Sequence, residues 1–292
     1  MILRAFCSAF ASISCPESVG YDPARRKRAA APDLMVNQIP DALEYVLTGM
    51  VLARIRNAMA SLSSPTPAAL RWLKEGDGRL RAALPTTIPR SPRKIKIEDL
   101  AWRTDRGGAR TLHEAYGQSG ATRRPDEVRS SSTAGNLYAW LVSYRKPEVV
   151  VEFGSAFGVS GMYWLAGIEK LGRGHLYSFE MNLEWAEVAR RNISAIGRRF
   201  TLTPGAFEEL VGGVLNGRTI DIAFVDGIHT ADFILRQFEI IREMASPRSL
   251  ILFDDIDFSS GRMAEGWTEI WRNKAVQTAF EFNGHTGIVE LG

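Results

Sequence analysis

The strongest constraint on this chain is the alternation that begins after Pro147. Short runs rich in apolar and β-branched residues, EVVVEFG, HLYSFE, FTLTPG, IDIAFVDG and SLILFDD, are separated by stretches of helical period. Runs that stay apolar through successive positions suit strands buried on both faces, and parallel strands need a crossover, usually a helix, to return to the same sheet. The pattern predicts an α/β fold: a Rossmann-like, doubly wound, mainly parallel sheet of seven strands. The closing KAVQTAFEFNGHTGIVEL reads as two strands joined by Asn283-Gly284, a strong hairpin signal, so an antiparallel terminal hairpin is expected at the sheet edge.

Upstream of this pattern the chain changes character. Residues 1–40, rich in Pro, Ala and Arg, read as a flexible tail, with Met35 an alternative start. Residues 41–130 read as an N-terminal helical cap region. Leu43, Val46, Leu47, Met50, Val51 and Ile55 form a helical stripe behind Asp41, and a second helix is expected from Pro67 to Leu84. A connector follows over 85–98, then a short helix over 110–117. The domain of residues 131–292 opens with a helix over 135–144, behind Ser131, Ser132 and Thr133 and ended by Pro147.

Composition removes several classes. A hydrophobic fraction of 45% and a charged fraction of 24% do not fit a fibrous or disordered chain. No apolar run reaches the roughly 18 residues of a bilayer-spanning helix, so no membrane partner is expected. Cys7 and Cys15 are the only cysteines, which excludes a disulfide framework or multi-Cys zinc site in the rest of the chain and fits a reducing cytoplasm. The net charge of +3 hides a basic excess before residue 110 and an acidic remainder. Its basic clusters lack interleaved aromatics, so they read as solvated surface and no nucleic-acid partner is expected.

Open parallel sheets bind ligands beyond the carboxyl ends of their strands. There, Gly154 and Gly158 allow a tight turn before Ser160 opens a helix. The spacing of Gly154, Ala156 and Gly158 is not the G-x-G-x-x-G of dinucleotide folds. Glu180 ends the next strand, where a carboxylate can accept ribose hydroxyls. With no phosphate-binding lysine nearby, an adenosine ligand without a pyrophosphate fits best.

EFGSAFGVS, SFE, IDIAFVDGIH and LILFDDI, in this order, resemble the class I S-adenosylmethionine-dependent methyltransferases. The closest likeness is to the small-molecule branch of catechol and caffeoyl-CoA O-methyltransferases, over residues 130–292. The resemblance implies transfer of a methyl group from S-adenosylmethionine to an oxygen or nitrogen of a small molecule, in a setting such as secondary metabolism. It implies that Glu152, Gly154, Ser155 and Gly158 surround the methionine moiety and that Glu180 binds the ribose. Gly205, Ala206 and Phe207 would line the adenine, and Asp226 would face the cofactor. In metal-dependent members an Asp and an Asp-Asn pair hold Mg²⁺; here Asp226, Asp254 and Asp255 stand at those positions, Asp255 in place of Asn. Two readings stay open: a Mg²⁺ site, or loop-capping acids with Asp226 steering the cofactor's positive groups.

His229 falls where catechol-type enzymes carry a basic lysine, so it and Asp226 are the catalytic candidates; the alternative is a helix-capping histidine. His285 is expected to be exposed. Tyr138, Trp140, Tyr163 and Trp164 could offer a π-face to a sulfonium or pack the core, and Trp267 and Trp271 could shape an apolar acceptor pocket. A homodimer is an allowed assembly. Two rivals keep other chemistry: a cyclase of the same fold, like azetidine-2-carboxylate synthases, releasing methylthioadenosine, and a non-enzymatic cofactor-sensing or RNA-binding module. The acids at the strand ends would repel phosphates and disfavour the last.

Overall fold

The computed structural model describes residues 69–116 and 120–292. The tail and the stripe from Leu43 to Ile55 lie outside them. The chain enters through β1 (Leu70–Glu75), α1 (Arg79–Ala83) and α2 (Lys94–Asp105), then α3 (Ser132–Arg145). Strands and helices then alternate: β2 (Val149–Phe153), α4 (Val159–Leu171), β3 (His175–Glu180), α5 (Leu183–Ser194), β4 (Phe200–Pro204), α6 (Phe207–Leu215) and β5 (Ile220–Val225). The chain ends with α7 (Ala231–Met244), β6 (Ala245–Phe253), α8 (Met263–Arg272), β7 (Val276–Phe282) and β8 (Thr286–Leu291).

One sheet has the order β1-β7-β8-β6-β5-β2-β3-β4, with neighbours from β6 to β4 parallel and those from β1 to β6 antiparallel. This is the doubly wound α/β fold expected, with an eighth strand. Successive strand residues serve opposite faces. Val150, Leu176 and Ile222 pack with Leu137 and Trp164 of α3 and α4, whereas Val149, Val151 and Ala223 pack with Ile234 and Phe238 of α7. Burial on both faces is what the uninterrupted apolar runs require.

Several elements depart from the sequence reading. The helix expected over 67–84 is instead strand β1 with the short α1 behind a turn at Gly76 and Gly78. The Trp72 ring packs at a tilt against Phe280 of β7, with centroids 4.7 Å apart, and the register pairs Leu70 with Phe282. Pairing with the far end of the chain overrides local helical spacing, and the terminal hairpin is therefore flanked by β1 and not the edge itself. The connector of 85–98 gives way at Lys94 to α2, whose Ile97 and Ala101 share a core with Leu137 and Trp164. In place of a short helix over 110–117 there is a two-residue ladder, Arg110–Thr111 with Thr122–Arg123, and a 3₁₀ turn at Glu114–Tyr116. Residues on both sides of position 130 thus share one core, and the described part of the expected helical cap supplies an edge strand and a packed helix.

Capping explains the helix starts. Ser131, Asn182 and Thr230 each accept a hydrogen bond from a first-turn N–H of α3, α5 and α7, at 3.2, 3.2 and 3.3 Å. α4 has no such side chain: Gly158, in the left-handed region, precedes it, so side chains leave its first-turn N–H groups unclaimed.

Candidate active site

The turn after β2 is built on glycine. Gly154 has a φ of 83°, and a Cβ there would lie 1.5 Å from the Asp226 carbonyl oxygen, so no other residue fits without moving β5. Gly158, at 84°, packs against Ala189 of α5, 2.9 Å from its would-be Cβ. Between them Ala156 takes a φ of 44°, a position held from outside. The Glu180 carboxylate supplies the hold: one oxygen accepts the Ala156 N–H at 2.7 Å and the other the Asn182 N–H at 2.8 Å. A carboxylate has about four acceptor positions, so two remain for hydroxyl donors. Burial pushes the Glu180 pKa up to about 7 against the pull of these two hydrogen bonds.

Glu152 lies deeper, fully enclosed within the sheet. Ser178 donates to one oxygen at 2.6 Å, while Oε1 has no hydrogen-bond partner, and burial pushes its pKa up to about 7. Ser155 Oγ is also buried without a partner. Partnerless buried polar atoms beside a glycine turn mark where a bound polar group would be satisfied. A narrow cleft joins this turn to the next loops, with Gly154, Glu180, Gly205, Phe207, Gly227 and Ile228 among its lining residues. Phe207 is fixed there by Phe153, stacked at 4.5 Å, and by Phe179, edge-on at 5.3 Å. Ala206 precedes α6 and offers no side-chain cap.

Beyond the ends of β5 and β6 the sequence-predicted acids converge. Asp226, Asp254 and Asp255 meet around His229, whose Nδ1 is 3.0 Å from Asp255 Oδ2 and whose Nε2 is 3.5 Å from Asp226 Oδ1. Thr230 caps α7, so His229 is not the cap. Burial lowers the His229 pKa, but the hydrogen bond and charge of Asp226 and the charges of Asp255 and Asp254 outweigh it and leave it raised. Burial also raises Asp226, and it pushes Asp254, which accepts the Thr286 hydroxyl at 2.8 Å, up to about 7.

His285 joins this group, a residue that sequence reasoning left exposed. It is half-exposed, with Nε2 2.6 Å from Asp255 Oδ1 and Nδ1 2.7 Å from Asp257 Oδ1. The hydrogen bond it donates to Asp255 pushes its pKa up to about 10. Burial alone would raise Asp255, but the His285 hydrogen bond and the two histidine charges hold its carboxyl below the usual range. The expected oxygen set for Mg²⁺ does not fit this arrangement: both Asp255 oxygens are engaged by imidazoles. Among the described residues, the group whose ligand atoms lie within 4.8 Å of one another, and which could hold a metal ion, is a different one: Asp254, Asp255 and His285, without Asp226.

The aromatic candidates are mostly spent on packing. Tyr138, Tyr163 and Trp164 are fully buried, with Tyr138 stacked on Trp164 at 4.6 Å, and Trp140 stacks on Tyr144 at 5.3 Å. Trp267 does not line an acceptor pocket: it lies between α8 and the terminal hairpin against Gly287, its Nε1–H donating to Glu281 at 3.0 Å. Trp271 is partly buried in the same layer, with Arg272 over its ring at 5.0 Å. The aromatic residue beside His229 is Phe258, 46% exposed and edge-on to it at 5.4 Å. Thr111 and Leu112 were also missed. The Thr111 carbonyl accepts from Asn182 at 2.8 Å, and Leu112 packs with Ala156 against Phe157 and Trp185.

Comparison with known proteins agrees with this architecture. A family model described as a methyltransferase domain matches residues 151–256. Among solved structures, an O-methyltransferase from Bacillus cereus in complex with SAH has 16% identity and a TM-score of 0.50, covering 74% of this chain and 96% of that one. The O-methyltransferase TomG from Streptomyces achromogenes, involved in tomaymycin synthesis and solved with SAM, has 14% identity and a TM-score of 0.50, covering 74% and 96%. An SAH-bound methyltransferase from Podospora anserina has 15% identity and a TM-score of 0.50, covering 72% and 100%. Among the described residues, no helix is long and apolar enough to cross a membrane.

Proposed function

We propose that the methyltransferase domain of residues 151–256 serves to move the methyl group of S-adenosylmethionine to an oxygen or nitrogen of a small molecule. One observation carries the reading: the Gly154–Gly158 turn is latched to the Glu180 carboxylate, beside the buried, partnerless Glu152 Oε1 and Ser155 Oγ. Glu180 retains acceptor positions for two ribose hydroxyls. Glu152, Ser155 and the uncapped start of α4 suit the ammonium and carboxylate of a methionine moiety, and Gly205 and Phe207, which line the same cleft with Ala206 between them in the chain, stand at the adenine end. Crystallised proteins of the same fold bind SAM or SAH, which supports this ligand.

When bound, S-adenosylmethionine supplies a methyl group on a cationic sulfur; this chain supplies the rest. Asp226, Asp254 and Glu152 place negative charge where positive charge must be held. His229 is the base. A proton on Nδ1 points to Asp255 and fixes the ring, and in the neutral imidazole Nε2, 3.5 Å from Asp226 Oδ1, is the nitrogen that takes the acceptor's proton. Phe258 offers an aromatic edge beside this base, and exclusion of water strengthens each of these interactions. The main contribution is alignment of acceptor and methyl carbon.

Calorimetry with SAM and with SAH tests the reading. Both should bind the wild type, and Glu180→Gln should weaken both about tenfold or more. Absence of binding by the wild type refutes the assignment. Release of methylthioadenosine by enzyme and SAM alone would replace methyl transfer with cyclisation.

A further inference from the structure

The acids beyond β5 and β6 contain their own counter-charge. The His285 ring contacts a carboxylate at each nitrogen, Asp255 at 2.6 Å and Asp257 at 2.7 Å. An ionised carboxylate only accepts hydrogen bonds, so the two contacts form together as hydrogen bonds when both ring nitrogens carry protons. An imidazole protonated at both nitrogens has no lone pair for a metal.

The backbone arranges this. Asp255 has a φ of 53°, a left-handed conformation that Asp tolerates better than most residues but that still requires support. That turn places one carboxylate oxygen on His229 and the other on His285. The β8 neighbour of β6 brings His285 to this point: the Ile256 N–H donates to the His285 carbonyl at 3.0 Å, and Thr286 donates to Asp254. Both oxygens of Asp255 and one of Asp254 are thereby engaged before any ion arrives.

We propose that the His285 imidazolium, gripped between Asp255 and Asp257, takes the place of a divalent cation among the strand-end acids, so that this cluster binds no such ion in the native enzyme. A divalent ion entering here must displace His285 from Asp255 and meet its positive charge at close range. His229 adds a second N–H donor on the same carboxylate. The proposal concerns the same site as the function above, but its test does not depend on cofactor binding.

The probe is Mn²⁺ alone, followed by electron paramagnetic resonance on the full-length protein, with Mg²⁺ as competitor. The wild type should show no tight stoichiometric Mn²⁺. The double variant His229→Asn/His285→Asn removes both imidazoles that donate to Asp255 and should bind Mn²⁺ at least about tenfold more tightly than the wild type. Adding Asp255→Ala to it should abolish the gain. The single variant His285→Asn, at a half-exposed position, should show a smaller gain in the same direction and serves if the double variant does not fold. Stoichiometric Mn²⁺ binding by the wild type that Asp255→Ala removes would overturn the proposal. So would the absence of any gain in folded variants lacking His285. SAM binding, measured in parallel without cation, separates this outcome from failure of the methyltransferase reading.

Discussion

Replacing Glu152 with Gln separates the charge of this side chain from its shape and gives a prediction whose sign changes with pH. The carboxyl is fully buried, and its pKa is pushed from 4.5 to about 7 by the loss of hydration. Between these values the unfolded chain has released a proton that the folded protein retains. Glu152 therefore contributes most to stability below pH 4.5, and that contribution is lost as pH rises through about 7. At about 1.36 kcal/mol per pKa unit, the loss is about 3 kcal/mol. Gln cannot titrate. Its amide can still accept from Ser178, and its NH₂ group inherits the partnerless position of Oε1, a fixed cost of about 1–3 kcal/mol at every pH. Relative to the wild type, Glu152→Gln should therefore gain about 3 kcal/mol between pH 5 and pH 8, a swing of roughly 6–10 °C in melting temperature. Urea unfolding of both proteins without cofactor, at four pH values across this range, measures the swing directly. Stability curves that stay parallel to within about 1 kcal/mol would refute the buried-charge argument.

Other expectations follow from single contacts. Gly154→Ala drives a methyl group into the Asp226 carbonyl and should cost more than about 4 kcal/mol or prevent soluble expression, as read by circular dichroism and yield. Tyr138→Phe removes a buried hydroxyl that lies beside Ser130 without a well-formed hydrogen bond and should leave stability unchanged or raise it by up to about 1 kcal/mol; a clear loss in denaturant midpoint would show that the Ser130 contact is a stabilising hydrogen bond. Trp267→Phe leaves buried Glu281 without its Nε1–H donor and should cost about 1–2 kcal/mol, whereas Trp271→Phe should cost less by the same unfolding assay. SAM carries one more positive charge than SAH, and the carboxylates of Glu152, Glu180 and Asp254 ionise near pH 7. SAM affinity should therefore rise from pH 6 to pH 8 more steeply than SAH affinity in calorimetry. Equal slopes would remove these acids from the cofactor's environment.

The sequence alone was enough for whatever depends on neighbours along the chain. Apolar runs after Pro147 specify buried strands because each position must face a core on one side or the other. The glycines at 154 and 158 mark a turn that larger residues cannot enter, and Asn283-Gly284, both at positive φ, set the terminal hairpin. That Glu180, Asp226, Asp254 and Asp255 stand at strand ends was legible for the same reason, since each follows directly on an apolar run. The tertiary structure decided what depends on distant residues. LRWLKE became a strand because Trp72 found Phe280 more than two hundred residues later, a pairing no local window contains. α2 begins after Arg93 in a left-handed conformation, without a capping side chain, so it carried no start signal. His285 stands thirty residues beyond Asp255 in the chain and enters the site because β8 lies beside β6. That placement of a cation against an acid is set by sheet order, and a carboxylate cannot choose between an imidazolium and a metal until the sheet has assembled.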